Sequence, residues 1–177
     1  MRLFVAVELP GKIKERLKSL EEELPDSGLR KVGSEKMHIT LKFLGEVEAG
    51  NLGRVVKALG DVEFSPFSIG VEGIGAFPSK EYVRVLWAGT KSRSLDALAE
   101  KVEGAMGGLF PREKRPFSGH ITLARVKKKT DFSGFFSKHD GEKFGEFRVD
   151  RFLLMQSILK RGGAEYSVVA EFPAKST

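Results

Sequence analysis

Residues 36–44 read Lys-Met-His-Ile-Thr-Leu-Lys-Phe-Leu, so apolar and polar side chains alternate along the stretch. Alternation with a period of two is typical of a strand that faces the core on one side. The apolar positions are Met37, Ile39, Leu41 and Phe43, and the polar positions are His38, Thr40 and Lys42. The pattern predicts a strand that buries the first set and turns the second set away from the core.

The tetrapeptide His-Ile-Thr-Leu occurs twice, at residues 38–41 and 120–123, in a chain that has only three histidines. His38 follows Leu3, and His120 follows Val85, by the same interval of 35 residues. Each interval begins in an apolar run and contains an amphipathic segment with apolar residues at helical spacing. Two strand–helix–strand units of equal length predict an internal duplication, with two lobes related by a pseudo-two-fold axis.

The remaining elements follow from periodicity and from Gly and Pro at their ends. Strands are expected over 3–9, within 64–77, over 82–88 and over 117–126, and helices over 13–24, 52–59 and 95–106. A basic loop is expected over 110–116, and a loop with a short helix over 127–145. The chain is expected to end in a closing hairpin with arms at 147–159 and 166–172. Gly-rich hairpins favour antiparallel pairing. The expected fold class is α+β and bilobal, with two pseudo-symmetric lobes of mainly antiparallel sheet and outer helices around a central cleft. No linker separates the lobes, so residues 1–177 are expected to form one domain.

The composition narrows the classes of function. The chain has no cysteine, which excludes disulfides, thiol nucleophiles and Cys-ligated zinc. Its 30 Lys and Arg against 24 Asp and Glu give a net charge of +6, which suits a polyanionic partner. Two basic clusters, Arg112–Arg115 and Arg125–Lys129, carry part of this charge, although either cluster alone is typical of a solvated surface.

Composition also bears on the cellular setting. No apolar run approaches the ~20 residues that cross a bilayer, so no membrane partner is expected. Residues 1–8 resemble a short signal segment, but Glu8 and the charged stretch after it favour a first strand, and we expect a cytoplasmic protein. Asn51 and Gln156 are the only side-chain amides, beside abundant Lys and Glu, which is the pattern of proteins from thermophiles.

The repeated motif carries the chemistry. In a strand, His and Thr two positions apart lie on one face, so facing lobes would bring two imidazoles and two hydroxyls into one cleft. Imidazole has an ordinary pKa of about 6.5, so a neutral and a protonated copy can act as general base and general acid. Threonine hydroxyls can donate to non-bridging phosphate oxygens. The pattern favours metal-free displacement at phosphorus, but the symmetry of the motifs leaves acid and base unassigned.

Several motifs in combination resemble one family. The two His-x-Thr-x motifs are accompanied by Phe-Leu-Gly-Glu at 43–46, Ala-Arg at 124–125 and Gly-Ala-Phe-Pro at 75–78. This combination resembles the 2H phosphoesterase superfamily, and within it the RNA 2',3'-cyclic phosphodiesterases, formerly called 2'-5' RNA ligases. The resemblance covers essentially the whole chain and implies a bilobal α+β fold with a central cleft. It implies hydrolysis of RNA 2',3'-cyclic phosphate ends to 2'-phosphomonoesters, without a cofactor or a metal.

The resemblance also implies roles for side chains. His38 would donate a proton to the leaving oxygen, His120 would activate water, and Thr40 and Thr122 would hold the phosphate. The partner would be RNA with a 2',3'-cyclic phosphate terminus, tRNA fragments among them, and we expect the protein to act as a monomer. Members of the family often carry Pro before the second His, whereas this chain has Gly119.

Arg125 is a further expected substrate-binding residue, by charge and by resemblance. Simple alternation places it on the core side with Ile121 and Leu123, so it reaches the cleft only if the strand twists or bulges. Lys42 shares its parity with His38 and Thr40 and is expected either in the cleft or extended to solvent.

The remaining histidine and two aromatic residues are expected to have no catalytic part. His139 lies in a polar segment without a partner motif and is expected to be solvated. Trp87 is expected in the core. Phe77 is expected there as well, with base stacking as its alternative.

Three other functions stay open from the sequence. A true RNA ligase would run the same chemistry in reverse with the same residues. A non-catalytic module that binds RNA or nucleotides would suit the charge but would not require a duplicated His with Thr. A metal-dependent phosphodiesterase would need clustered Asp, Glu and His, and neither motif has a carboxylate at ligand spacing.

Overall fold

The computed structural model describes residues 1–175 and contains ten strands and four α-helices within that range. The strands are β1 Arg2–Glu8, β2 Leu29–Lys31, β3 His38–Glu46, β4 Phe67–Glu72, β5 Ile74–Pro78, β6 Val83–Gly89, β7 His120–Val126, β8 Lys143–Val149, β9 Arg151–Lys160 and β10 Gly163–Pro173. The helices are α1 Gly11–Glu22, α2 Leu52–Gly60, α3 Arg93–Met106 and α4 Ser133–Lys138. No helix in this part of the chain is both long and apolar enough to cross a membrane.

One antiparallel sheet runs through the molecule in the order β10-β9-β1-β3-β7-β6-β5. Two of its strands, β3 and β7, carry the two His-Ile-Thr-Leu motifs, and within residues 1–175 they pair with each other only at Ile39 and Ile121. Farther along, β7 pairs with the short strand β2 instead, so β3 and β7 diverge and leave a cleft between two half-sheets. A separate ribbon of β4 and β8 completes the antiparallel pairing. The expected α+β class with mainly antiparallel sheet is confirmed.

The two longest helices pack across the halves. In the first unit α1 connects β1 to the segment that leads into β3, and it contacts β7; in the second unit α3 connects β6 to β7, and it packs against β3. Helix α3 starts after Ser92, whose hydroxyl accepts a hydrogen bond from the Leu95 N–H at 3.1 Å and satisfies one free donor of the first turn. Each motif strand is therefore supported from behind by the helix of the other unit.

Some boundaries differ from those predicted. Strand β7 begins at His120 rather than at 117, and the short strand β2 was not predicted. Residues 147–149 belong to β8, which begins at Lys143 inside the segment expected as a loop and pairs with β4. The closing hairpin is formed by β9 and β10, because the chain breaks its pairing at Asp150 and changes sheets there.

Candidate active site

The pairing of Ile39 with Ile121 places the two motifs side by side on one face. Both isoleucines are fully buried, so their neighbours along each strand face the opposite side of the sheet. Antiparallel register then sets His38 across from Thr122 and Thr40 across from His120. All four side chains are half-buried and line one cleft of about 1080 Å³. The structure thus brings the four expected side chains together.

A bulge follows each motif at the same position. The register of β3 against β1 slips at Leu41, and that of β7 against β6 slips at Leu123. A bulge inserts one residue and reverses the alternation beyond it. Arg125 is therefore exposed and lines the cleft, although simple alternation predicted the core side. Its equivalent in the first half is Phe43, which was predicted to be buried but is 65% exposed in the cleft.

The same bulge turns Lys42 away from the face of His38 and Thr40. Lys42 still lines the cleft, as one of the two expectations had it, but it is buried rather than extended to solvent. Its side chain is only 2% exposed, and its Nζ donates to both carboxylate oxygens of Glu103 on α3 at 2.9 and 3.0 Å. The Nζ also donates to the Pro111 carbonyl at 3.1 Å, and Glu103 accepts from the Glu113 N–H at 3.0 Å. Burial alone would raise the pKa of the Glu103 carboxyl, but the hydrogen bonds from Lys42 and Glu113 turn the net shift downward. This buried pair fixes the first residues of the basic loop.

Both imidazoles are oriented in the same way by the backbone. His38 Nδ1–H donates to the Lys36 carbonyl at 2.8 Å, and His120 Nδ1–H donates to the Ser118 carbonyl at 2.8 Å. A carbonyl oxygen can only accept, so each ring carries its proton on Nδ1 when neutral and presents Nε2 to the cleft. The Nε2 of His38 is 2.9 Å from Thr40 Oγ1, whereas the Nε2 of His120 has no hydrogen-bond partner among residues 1–175.

The walls around the two histidines are aromatic. The His38 ring contacts Phe4 at 5.0 Å and Tyr166 at 5.4 Å between centroids. The His120 ring contacts Phe77 at 4.9 Å and Trp87 at 6.1 Å. Phe77 and Trp87 were both predicted to lie in the core, but neither is fully buried, and Phe77 lines the cleft.

Two glycines make room for this arrangement. A side chain at Gly75 would collide with the indole of Trp87, whose nearest atom would lie 2.2 Å from the added carbon. A side chain at Gly119 would lie 2.7 Å from Thr90 Oγ1 and 2.8 Å from Leu95 Cδ2. Glycine before the second histidine thus allows the buried Thr90 and Leu95 to pack against the entry of β7.

Burial shifts the pKa of both histidines in the same direction. Desolvation lowers the pKa of the His38 imidazole, and the charges of His120 and Arg125 lower it further, against the opposing effect of the Lys36 carbonyl. Desolvation likewise lowers the pKa of His120, and Arg125 adds to the shift, while the Ser118 carbonyl opposes it. An anionic phosphate in the cleft would reverse part of this shift, because it stabilises imidazolium.

The third histidine was expected to be solvated, and that expectation was wrong. His139 is buried, with Nε2 3.0 Å from Glu23 Oε1 and Nδ1 3.1 Å from Glu142 Oε1. Glu23 also accepts from Lys138 at 2.7 Å. The cluster joins the end of α1 to the turn before β8 and lies outside the cleft lining.

Within the basic cluster at residues 112–115, Arg112 is paired with a carboxylate, whereas in the described part of the chain Lys114 and Arg115 are not. Arg112 donates to both carboxylate oxygens of Glu100 at 2.6 and 2.9 Å. Lys114 and Arg115 line the cleft and have no ion-pair partner in the described part of the chain. In the same part of the chain, no group of three or more His, Asp or Glu side chains could hold a metal ion.

Comparison with known proteins agrees with this geometry. The family model described as "LigT like Phosphoesterase" matches residues 5–87 and 89–166. A protein of Archaeoglobus fulgidus named RNA 2',3'-cyclic phosphodiesterase is 41% identical over 175 residues, which are 97% of this chain and 99% of the relative. The crystal structure of TT0787 of Thermus thermophilus has a TM-score of 0.85 and 31% identity, with 99% of each chain covered. That of E. coli LigT complexed with 3'-AMP has a TM-score of 0.84 and 27% identity over 99% of this chain and 98% of its own. The chain belongs to the LigT-like phosphoesterase family, as its paired motifs predict.

Proposed function

We propose that this protein hydrolyses 2',3'-cyclic phosphate ends of RNA to 2'-phosphomonoesters by metal-independent acid–base catalysis. The observation that carries the proposal is that the two histidines and the two threonines lie side by side on neighbouring strands and line one cleft. The name of the Archaeoglobus fulgidus relative and the 3'-AMP bound to E. coli LigT support a ribose phosphate as the ligand of this cleft.

In this mechanism the two histidines lie on opposite sides of the phosphorus atom. His120 Nε2 takes a proton from water as the water oxygen attacks phosphorus, and His38 Nε2–H gives a proton to the departing O3'. The bond from phosphorus to the water oxygen forms while the bond to O3' breaks, so the phosphate remains on O2'. The lack of a partner for His120 Nε2 among the described residues supports its assignment as the base, because its lone pair faces the cleft.

The remaining polar groups hold the phosphate. Thr40 and Thr122 donate hydrogen bonds to the non-bridging oxygens, one from each motif strand. Arg125 stabilises the charge that develops on these oxygens, and its position beyond the bulge of β7 gives it access to them.

The test is incubation with an oligoribonucleotide that ends in a 2',3'-cyclic phosphate, followed by phosphorus NMR. We expect a 2'-phosphate and a free 3'-hydroxyl as the main product, in the presence of excess EDTA. A 3'-phosphate would reverse the assignment of acid and base, and loss of activity in EDTA with rescue by a divalent ion would contradict the metal-independent mechanism.

A further inference from the structure

A second concavity of about 420 Å³ adjoins the cleft. It is lined by residues 42–44 of β3 and residues 110–115 of the loop before β7. We call it the Phe43 pocket. It shares Lys42, Phe43 and residues 112–115 with the cleft, so a chain that leaves the cleft on this side passes directly into it.

Phe43 offers an unusual surface for a strand residue. Its ring is 65% exposed, and the bulge at Leu41 is the reason that it faces outward rather than into the core. Its equivalent in the second half is Arg125, so the cleft has an aromatic ring at one end and a guanidinium at the other. Any of the nucleobases can stack on a flat, exposed aromatic ring, because every base has a π face.

The basic wall of the pocket is held in place from beneath. The buried Lys42 binds the Pro111 carbonyl and its half-buried partner Glu103 binds the Glu113 N–H, which fixes the start of the loop. Lys114 and Arg115 follow and keep their charges unmatched in the described part of the chain, whereas the charge of Arg112 is matched by Glu100. A ring beside two unmatched cations fits a nucleobase and its phosphate.

The position of the pocket indicates which nucleotide it takes. Phe4 separates Phe43 from the histidine, with its ring centroid 5.0 Å from His38 and 6.2 Å from Phe43. The nucleoside that carries the cyclic phosphate would lie beside His38 and against the half-buried Tyr166, which leaves the exposed Phe43 for its neighbour. A cyclic phosphate ends the strand, so that neighbour lies on the 5' side.

We propose that the Phe43 pocket binds the nucleotide immediately 5' of the one that carries the cyclic phosphate. Its base stacks on Phe43, and the phosphodiester that links the two nucleotides contacts Lys114 and Arg115. The inference rests on the proposed function and makes oligomeric RNA, rather than a free cyclic mononucleotide, the preferred substrate.

The experiment compares a dinucleotide that ends in a 2',3'-cyclic phosphate with the matching cyclic mononucleotide. Phe43→Ala should lower the ratio of kcat/KM for the dinucleotide to that for the mononucleotide about tenfold, mainly through KM. Tyr82→Ala is the matched control, because Tyr82 is 49% exposed and lies outside both concavities, and it should leave the ratio unchanged. Replacement of Lys114 and Arg115 together by Ala should reduce the salt dependence of KM for the dinucleotide.

Two results would overturn the inference while the proposed function stands. An equal loss of kcat/KM on both substrates in Phe43→Ala would assign the ring to the terminal nucleoside, and an unchanged kcat/KM on both would leave the pocket without a role in binding. Failure of the unmodified protein to turn over either substrate would contradict the proposed function itself.

Discussion

The half of the cleft built on β3 and the half built on β7 surround the same tetrapeptide with different neighbours. In both halves the histidine donates from Nδ1 to the carbonyl two residues before it, and a bulge follows at the fourth residue of the motif. The halves diverge at the next two positions, which are Lys42 and Phe43 in one and Ala124 and Arg125 in the other. The repeated backbone orients the two histidines in the same way, whereas the residues after the bulge make the two ends of the cleft chemically different.

Replacement of each histidine in turn tests most strongly whether both halves of the cleft take part in the reaction. His38→Ala and His120→Ala should each lower kcat by about 10²- to 10⁴-fold, because each removes one group of a general acid–base pair. His139→Gln is the matched control, since it alters a histidine outside the cleft lining, and kcat should be retained. A near-normal kcat in either cleft variant would show that the two halves do not share the chemistry.

Lys42 and Ala124 occupy equivalent places, but only the first carries a buried charge. Lys42→Met should reduce the free energy of unfolding by about 1–3 kcal/mol, because it leaves the half-buried Glu103 carboxylate without its main partner. Urea denaturation measures this change. The double variant Lys42→Met with Glu103→Leu should recover most of the loss, and a double variant as unstable as the single one would mean that packing, not charge, sets the cost.

Replacement of either threonine should reduce activity less than removal of a histidine, and the two replacements should differ in their pH profiles. Thr40→Val and Thr122→Val should each cost ~1–3 kcal/mol in transition-state stabilisation, the range for a lost hydrogen bond to a charged oxygen in a dry site. Thr40→Val also removes the partner of His38 Nε2, so its pH profile should shift, whereas that of Thr122→Val should not. Steady-state kinetics over a pH series separates the two effects, and unchanged kcat/KM in both variants would make the threonines structural.

The dependence of rate on pH should reflect the lowered pKa of both histidines. In the free protein both limbs of kcat/KM should lie on the acid side of the ordinary imidazole range, because burial disfavours imidazolium in each half. The limbs of kcat should lie at higher pH, since the bound phosphate anion raises the pKa of both rings. A kcat/KM maximum above neutral pH would contradict the sign of these shifts.

The smallest expected effect concerns two arginines of the basic loop. Arg115→Ala should reduce the slope of log affinity for oligomeric RNA against log salt by about 0.7, the value for one phosphate contact on a single strand. Arg112→Ala should reduce it less, because Glu100 already neutralises that guanidinium. Equal slopes in both variants would mean that the ion pair opens when RNA binds.

The motif and the fold class could be predicted from the sequence because they depend on periodicity. Alternation around Ile39 and Ile121 placed the two histidines on one face, and the equal intervals indicated that the two faces belong together. Alternation failed beyond Leu41 and Leu123, since a bulge leaves no mark in a pattern of apolar and polar residues. Phe43 was therefore predicted to be buried and Lys42 to be accessible, and both were wrong.

Side chains distant in sequence were also missed. Tyr166 reaches His38 from β10, and no local pattern connects the two. His139 appeared solvated because its partners, Glu23 and Glu142, are set by the packing of α1 against β8. The role of Gly119 became clear only when Thr90 and Leu95 were seen to fill the space beside it.

The single pairing of Ile39 with Ile121 has a mechanical consequence. A change in the angle between the two half-sheets would turn about that point, and the two histidines and two threonines of the motifs flank it directly. A rotation of one half-sheet therefore displaces them little, as positions close to a pivot move less than those at the end of a lever. Phe43 and Arg125 lie farther out along the diverging strands. The same rotation would therefore change the width of the cleft at these two residues, where RNA is proposed to bind, while the distance between the histidines would stay nearly constant.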